Sequence, residues 1–596
     1  MQQDVDSRDS SSSTESKERV VAKQTASIDL IVAGQSSHRE PRSIDAFLDE
    51  AYEDKANGTK WKYWIVMLSL GLSNSSESAE ILCVGFLLSD PSFQSEMLGV
   101  NWHGSLLASC VFVGMLTGTL FVGALGDAIG RRPMMRVGLA TIALLGILSS
   151  LSLNIYQLVF LRALTGVGIG SMGPPMLAMA SELAPPSRRG LFITVVSSFW
   201  IVGSVFVSLV AYMTLASQQQ TFGNWRWFLV VAAFPSTAAS LLVSLLVVES
   251  PRFQALHQRQ EDAVVSIQLL AQQMRYSGPP LTIEEILYHY PKATETTVTT
   301  TPGAAEGGGG GAYAALRQEG SSWSQIYKTI GMAFVIFGRS SLKLYHKKLL
   351  RTTILLQIVW IGLCFGSNGI AIWITRLFQA VHLSNIYWNA VLFALAQIPG
   401  SLLTVLLIDW TSRQRVLSIG FLGAAVSLLV FAYFANSASS SSSTVSSLGV
   451  VGAACAFQAC IQVAWNTMSV VTTERFPTVV RATAWAVLSS SGKISGAVAN
   501  FVNGFLVSWP AMLLLLASVS MVIAGTTPFA LEGIPSRALE DDILTNDTQE
   551  GIEIGQDRVP VVAAVGGDND NDAHKQDTHW KKTSINGRGD VSYQSI

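Results

Sequence analysis

Along the chain, runs of about twenty predominantly apolar residues alternate with short polar and charged segments, and each run is long enough to cross a bilayer as a single helix. Twelve are predicted: Trp64–Leu88, Ser105–Leu125, Val137–Tyr156, Leu158–Ala180, Leu191–Leu215, Phe228–Val248, Thr353–Ile374, Asn389–Leu407, Val416–Phe434, Gly449–Val471, Ala482–Val507 and Met512–Ala530, numbered span 1 to span 12 in that order. A long polar interval separates spans 6 and 7. The chain therefore divides into a tail, 1–60, read as disordered apart from a short helix near Ser43 to Tyr52; a six-helix bundle, 61–253; a loop, 254–348, with a low-complexity insert from Thr296 to Gly311; a second six-helix bundle, 349–531; and a disordered tail, 532–596. The apolar piece from Ile326 to Phe337 is too short to span and reads as an interfacial helix. The fold class expected is an all-α polytopic membrane protein: twelve transmembrane helices in two pseudo-symmetric six-helix bundles.

Charge orients these spans. Lys and Arg crowd the first tail (Lys55, Lys60, Lys62) and every second loop, through Arg131, Arg132, Arg136, Arg188, Arg189, Lys347, Lys348, Arg351, Arg413, Arg415, Arg475 and Arg481. The alternate loops carry Arg226 and Arg376. The positive-inside rule then places both termini and the 254–348 loop in the cytoplasm. A composition that is 49% hydrophobic and only 13% charged fits a protein immersed in the lipid bilayer. The net charge of −2, sorted by loop rather than gathered into a basic patch, gives no sign of nucleic-acid binding. Cys83, Cys110, Cys364, Cys455 and Cys460 all fall inside spans, where they act as small apolar fillers rather than a disulfide framework. The polar start of the chain makes span 1 a retained anchor rather than a cleaved signal. No span contains His and no metal-ligand cluster or nucleophile motif recurs, so no cofactor, metal or enzymatic role is expected.

The polar residues inside spans are the candidate chemistry. Span 1 carries Glu77 and Glu80 three residues apart, on one side of a helix. A charge at the bilayer centre costs about 2.5–3.5 kcal/mol, so the pair either lines a watery vestibule or binds a cation or proton. Span 4 opens on Arg162, which either snorkels or takes Glu77 or Glu80 as partner. Behind it, Gly166, Gly168 and Gly170 permit close helix contact, and Gly173, Pro174 and Pro175 bend the helix. Span 10 carries Gln458, Gln462 and Asn466 at four-residue steps beside Trp465, a stripe that glues helices or binds substrate. Gln357 in span 7 and Lys493 in span 11 complete the candidates for substrate and proton binding.

The loops repeat. Gly123-x-x-x-Asp127-x-x-Gly130-Arg131-Arg132 follows span 2, and Asp409 and Arg413 follow span 8 at the spacing of Asp127 and Arg131. Glu182, Pro185 and Arg189 follow span 4, and Glu474, Pro477 and Arg481 follow span 10 at identical spacing. Two motifs in the same order after the second and fourth span of each half indicate an internal duplication.

With Arg162 to Gly170, Glu249-Ser-Pro-Arg252 after span 6 and Leu531-Glu-Gly-Ile-Pro-Ser-Arg537, these motifs resemble the major facilitator superfamily of secondary transporters, in the group of sugar porters and organic-ion transporters. Glu474 to Arg481 and Phe365-Gly-Ser-Asn-Gly369 are similar to its organic-ion and synaptic-vesicle-glycoprotein-like branch. The resemblance implies a small-molecule substrate bound between the bundles and exposed alternately to each side, a coupling proton, and residence in a plasma, vesicle or vacuole membrane. It implies that Gly123, Asp127, Gly130, Arg131 and Arg132 close the cytoplasmic face against the other half, with Glu182, Arg189, Glu249, Arg252, Asp409, Arg413, Glu474 and Arg481 forming the gate's ion-pair network. It also implies that a span 1 acid faces Arg162, with Glu77 closest to that acid and carrying the proton, Glu80 recognising substrate charge and Lys493 tuning selectivity. A facilitative uniporter and a non-transporting receptor or vesicle component remain as alternatives. Here the sequence departs from the pattern: Gln357 stands without the second glutamine of sugar porters, Val248 replaces a proline and Ser412 a glycine.

The charge bias makes a direct prediction. A cysteine placed at Gly309 should stay unlabelled by a membrane-impermeant thiol reagent in intact cells and label after permeabilisation; labelling from outside would reverse the topology.

Overall fold

The computed structural model describes residues 41–54, 60–100, 102–216, 224–291, 338–339, 341–440, 444–476 and 478–531, all within one compact unit, Met1–Glu540. The Gly309 site, the low-complexity insert, the 326–337 piece and the C-terminal tail lie outside the described residues, as do the side chains of 121–128 and 409. Twelve long helical segments stand where the apolar runs are: Trp61–Ser89, Trp102–Ile129, Arg131–Leu148, Ile155–Leu183, Arg189–Leu215, Asn224–Ala232 with Phe234–Leu246, Lys347–Ala380, Ile386–Leu395 with Gln397–Trp410, Arg413–Ser440, Thr444–Glu474, Thr478–Leu506 and Pro510–Thr526. Ten of the described stretches are long and apolar enough to cross a membrane by composition alone; spans 1 and 11 fall short, and these are the two that hold Glu77, Glu80 and Lys493.

Prolines explain the interruptions. Pro235 and Pro399 lack an N–H and crowd the carbonyl four residues earlier, and spans 6 and 8 break beside them at Ala233 and Ala396. Span 4 runs through Pro174 and Pro175 without a break. There the Gly170 carbonyl, which Pro174 deprives of its helical donor, shares the Thr119 hydroxyl of span 2 (3.2 Å) with the Met115 carbonyl of that span (2.8 Å). At the turn into span 3, Gly130 has φ +120°, a conformation that a side chain would strain, and its missing Cβ leaves room for the Glu249 carboxylate.

Glycines set how closely the helices approach. A Cβ on Gly114 or Gly118 of span 2 would overlap the carbonyls of Ala163 or Val167, and one on Gly166 or Gly170 of span 4 those of Val111 or Met115. Gly168, two residues and thus about 200° round the helix from either neighbour, faces span 3 instead, against Gly138 and Ile142. The second half repeats the device: Gly400 of span 8 abuts the Ala459 carbonyl of span 10, and Gly420 of span 9 abuts Ala464. Such contacts replace the hydrophobic drive that helices in lipid lack.

One buried apolar cluster fills the first half and takes in Ile372, Trp373, Tyr387 and Ala390 of the second, and another fills the second half. Between them, spans 1 and 7, 2 and 11, and 5 and 8 pack together. Ser89 Oγ donates to Thr375 Oγ1 (2.6 Å), which donates to the Gly85 carbonyl (2.9 Å), and Ser109 Oγ donates to the Ala497 carbonyl (2.9 Å). Ser89 and Thr375 sit at the ends of spans 1 and 7 away from the arginine-rich loops, so the bundles are joined towards that face. On the same face Arg226 is paired with Glu96, which also accepts from Trp225 Nε1 (2.8 Å); these donors hold the Glu96 carboxyl below the usual carboxylate range.

On the arginine-rich face, the first tail contributes more than a loose strand. Residues Ile44–Glu53 form a helix capped by Ser43, with Ile44, Phe47, Leu48 and Ala51 buried. Arg42 bridges Glu50 and Glu285, Tyr276 donates to Glu50 (2.7 Å), and Ser187 donates to Asp49 (2.7 Å). The helix thus ties the loop after span 4 to helices Gln260–Met274 and Ile283–His289 of the loop that follows the first bundle.

Gly166→Ala should lower the thermal unfolding midpoint of the purified protein, since the added methyl forces spans 2 and 4 apart at about 1–3 kcal/mol. Gly452→Ala, where a Cβ meets nothing within 4 Å, should leave the midpoint unchanged.

Candidate functional site

The two carboxylates of span 1 part company. Glu80 is the partner of Arg162: Nη1 donates to Oε2 at 2.6 Å, with the side chains 2% and 1% exposed. Arg162 also donates to the Gly146 carbonyl (3.3 Å) and to Cys83 Sγ (3.4 Å), and Ser236 Oγ donates to Glu80 Oε1 (3.4 Å). A Cβ on Gly146 would come within 2.7 Å of Glu80 Oε1, so that glycine makes the space the pair occupies. Spans 1, 3, 4 and 6 therefore enclose one neutral pair inside the first bundle.

This corrects the expectation that Glu77 faces Arg162. Three residues of helix turn the side chain by about 60° and shift it by about 4.5 Å, enough to send the neighbouring carboxylate elsewhere. Glu77 is half-buried, lies beside Gly173 of span 4, and interacts electrostatically with Lys493 of span 11 across the bundle interface. Lys493 Nζ itself donates to Ser489 Oγ at 3.4 Å. Glu80 is sealed away from that interface.

A cavity of about 50 Å³ lies between the bundles, lined by Trp200 and Ser204 of span 5, Ser367 and Asn368 of span 7, Gln397 of span 8, and Gln458, Gln462 and Trp465 of span 10. It has room for one or two waters, well short of the roughly 300–1,000 Å³ of a ligand pocket. Gln397 Nε2 donates across the interface to Ser204 Oγ (2.7 Å) while its buried Oε1 has no partner, and Trp465 Nε1 donates to Ser367 Oγ (3.2 Å). Gln458 and Gln462 line this cavity. Asn466 instead accepts from Gln462 (3.1 Å) and reaches Thr404 (3.4 Å) and Ser401 (3.5 Å), joining spans 10 and 8. Gln357 is displaced altogether: it donates to the Tyr345 hydroxyl (2.7 Å), ten residues or about 15 Å along span 7 from Ser367. Trp200, Ser204 and Gln397 escape a reading of the sequence because each is a single polar or aromatic residue in an apolar run. Ser367 and Asn368 stand inside the quoted Phe365–Gly369 motif, which signalled them without giving a role.

The gate residues also meet differently. Arg131 pairs with Glu182, and Glu249 accepts the Arg132 backbone N–H at 3.2 Å. Arg132 and Arg136 donate to the Ser244 carbonyl (3.1 and 2.5 Å), and Arg413 pairs with Glu474. These contacts join elements of the same bundle. The bundles meet towards the opposite face, leaving each basic loop to settle on its own helix ends. Arg189 (3.4 Å) and Arg252 converge on Asp45 of the Ile44–Glu53 helix, a partner that no loop motif announced. Arg481 donates to the Phe476 carbonyl (3.3 Å). Gly123, Asp127 and Asp409 have side-chain surroundings outside the described residues. Among the described residues no three His, Cys, Asp or Glu side chains are placed to hold a metal.

The chain matches the family model described as "Sugar (and other) transporter" over residues 58–301 and 323–530. It is 26% identical over 501 residues to organic cation/carnitine transporter 7 of Arabidopsis thaliana, covering 81% of this chain and 94% of that protein. It is 24% identical over 482 residues to the synaptic vesicle 2-related protein of Xenopus laevis, covering 77% and 75%. Among solved structures, the xylose transporter XylE from E. coli in a partially occluded inward-open conformation superposes with a TM-score of 0.58 at 15% identity, covering 79% of this chain and 98% of that one. That likeness is one of fold, the twelve-helix major facilitator fold.

Removing one member of the Glu80–Arg162 pair should destabilise the protein by about 3–5 kcal/mol, because the other charge stays buried without a partner. In a thermal-unfolding cycle, Glu80→Gln and Arg162→Gln should each lower the midpoint more than the double variant does. Additive losses would show that the two charges do not depend on each other.

Proposed function

Because the chain belongs to the sugar (and other) transporter family, we propose that it is a secondary active transporter that moves a small organic ion by alternating access, coupled to protons. The carrying observation is the sealed Glu80–Arg162 pair beside a second, separated pair of opposite charges, Glu77 and Lys493, on the two sides of the bundle interface. A paired Glu80 is neutral overall. When the bundle rearranges and the guanidinium withdraws, an unpaired buried carboxylate costs several kcal/mol, and a bound proton removes that cost. Loading and unloading of a proton is thereby tied to conformation. The substrate's charge is read by Glu77 and Lys493, while Trp200, Trp465, Asn368, Gln458 and Gln462 close around its body. The contacts between bundles on one face and the small central cavity favour a state closed on the side away from the basic loops. By the positive-inside rule the basic loops and both termini are cytoplasmic, and the vesicle-protein relative favours a vesicle membrane over the plasma membrane.

A facilitative sugar carrier is the second reading, favoured by the aromatic and amide lining of the cavity, which suits hydroxylated solutes. The plant relative named for organic cations and carnitine supports the ion instead.

Uptake into proteoliposomes against a panel of organic cations, anions and sugars, with and without a pH gradient, decides between them. One proton moved across 100 mV supplies about 2.3 kcal/mol, roughly fifty-fold accumulation. Glu80→Gln should abolish pH-driven accumulation while sparing exchange at equilibrium, and Glu77→Gln should raise the apparent KM for a charged substrate. Accumulation by Glu80→Gln against a gradient would refute the coupling.

A further inference from the structure

Away from the basic loops, the central cavity is roofed by aromatic rings. Phe86 of span 1 lines the cavity and is buried. It stacks on Tyr387 at the start of span 8, with centroids 6.4 Å apart and planes at 29°, and meets Phe228 of span 6 edge-on at 6.0 Å. Tyr387 lies about one helical turn outward of Ala390, which also lines the cavity. Spans 1 and 8 belong to different bundles, so the halves cannot part on this face while the two rings stay stacked.

The same seam holds polar groups that are left unsatisfied. Serine hydroxyls inside spans fold back on their own helix, as those of Ser69, Ser73 and Ser76 do in span 1. Tyrosine and tryptophan carry their polar atom at the far end of a rigid ring and need a partner from elsewhere. Tyr387 is 6% exposed, and its hydroxyl has no partner among the described residues; nor has Nε1 of the buried Trp373 in span 7. Asp90 lies within electrostatic reach of Tyr387 but accepts the Phe93 N–H (2.9 Å) rather than the phenol. A buried polar group without a partner burdens the closed arrangement with its full desolvation, which is recovered when water reaches it. Ring contacts hold this seam shut, and its own polar groups oppose them.

We propose that the Phe86–Tyr387 stack is the outer door of the central cavity, and that the Tyr387 hydroxyl, left without a partner while the door is shut, sets how readily it opens. Tyr387 is thus a positioning residue: it acts on the balance between closed and open arrangements through Phe86. The inference rests on the alternating-access reading above, and it is independent of what is carried and of the coupling proton.

The test uses the full-length protein in lipid nanodiscs, with Ser105→Cys as a reporter in every protein compared. Ser105 is fully buried where span 2 meets Gly504 of span 11, towards the outer face, so a charged methanethiosulfonate reagent reaches a cysteine there only when the bundles part on that side. The protein without the reporter gives the background of the native cysteines. Tyr387→Phe should slow labelling about fivefold or more, the lower end of what one unpaired buried hydroxyl is worth, and should raise the thermal unfolding midpoint. Phe86→Ala, or Phe86→Leu if the alanine protein fails to fold, should speed labelling by removing the stack. Ser171→Ala, whose hydroxyl donates to the Gly168 carbonyl within span 4 (2.7 Å), should label at the reporter's own rate. Unchanged or faster labelling in Tyr387→Phe, a lowered midpoint in that variant, or equal slowing in Ser171→Ala overturns the role of the hydroxyl. Unchanged or slower labelling in the Phe86 variants overturns the door. None of these readouts needs a substrate. The expected labelling pattern in a protein that accumulates nothing in proteoliposomes would leave the door standing and refute proton-coupled transport, whereas accumulation with labelling indifferent to Tyr387→Phe would do the reverse.

Discussion

A charge in the bilayer interior has to be met by another charge, and the first bundle is arranged round one such meeting. Arg162 and Glu80 hold each other at 2.6 Å where neither touches solvent. The pair needs span 3 to come close without a side chain, which Gly146 permits, and span 6 to present Ser236. A buried pair of this kind adds little net stability over an apolar substitute, and its loss by halves is severe.

The same economy of contact governs the helices themselves. Lipid offers no hydrophobic gain on helix association, so spans 2 and 4 approach through facing glycines, and spans 8 and 10 repeat the contact in the second half. At Gly170, where Pro174 removes the helical donor, the Thr119 hydroxyl of span 2 is shared between that carbonyl and its own Met115 carbonyl. Between the bundles the same close approach recurs, Gly85 of span 1 against the Ile372 carbonyl of span 7 and Gly496 of span 11 against Phe112 of span 2, with Phe86 stacked on Tyr387. Serine, threonine and glutamine hydrogen bonds cross the same interface, and Glu77 and Lys493 stand on its two sides.

The arginine-rich face shows how a duplicated framework diverges. In both halves an arginine and a glutamate from successive loops pair, Arg131 with Glu182 and Arg413 with Glu474. Such partly exposed pairs contribute about 0.2–1 kcal/mol each. The first half then gains a helix from the tail, which brings Asp45 to Arg189 and Arg252. At the corresponding corner of the second half, Arg413, Glu474, Arg475 and Arg481 line one cavity.

Much of this architecture was legible in the chain. Apolar runs of membrane length, separated by loops that alternate in charge, determine twelve helices, and the repeated Asp–Arg and Glu–Pro–Arg spacings determine the duplication, because both signals are periodic and local. The polar residues within spans were legible as a set for the same reason: each stands out against lipid-compatible neighbours. Which of them meet was decided only by tertiary structure. Glu77 and Glu80 differ by about 60° of helix rotation, and only the placement of span 4 makes Glu80 the partner of Arg162. Gln357 and Gln458 look alike in sequence, yet the depth at which each helix sits puts one beside Tyr345 and the other at the central cavity. Asp45 meets Arg189 and Arg252 across 144 residues and more of chain, a contact with no local signature. Helix phase, helix depth and long-range docking are properties of how the spans pack together, and no stretch of sequence read by itself contains them.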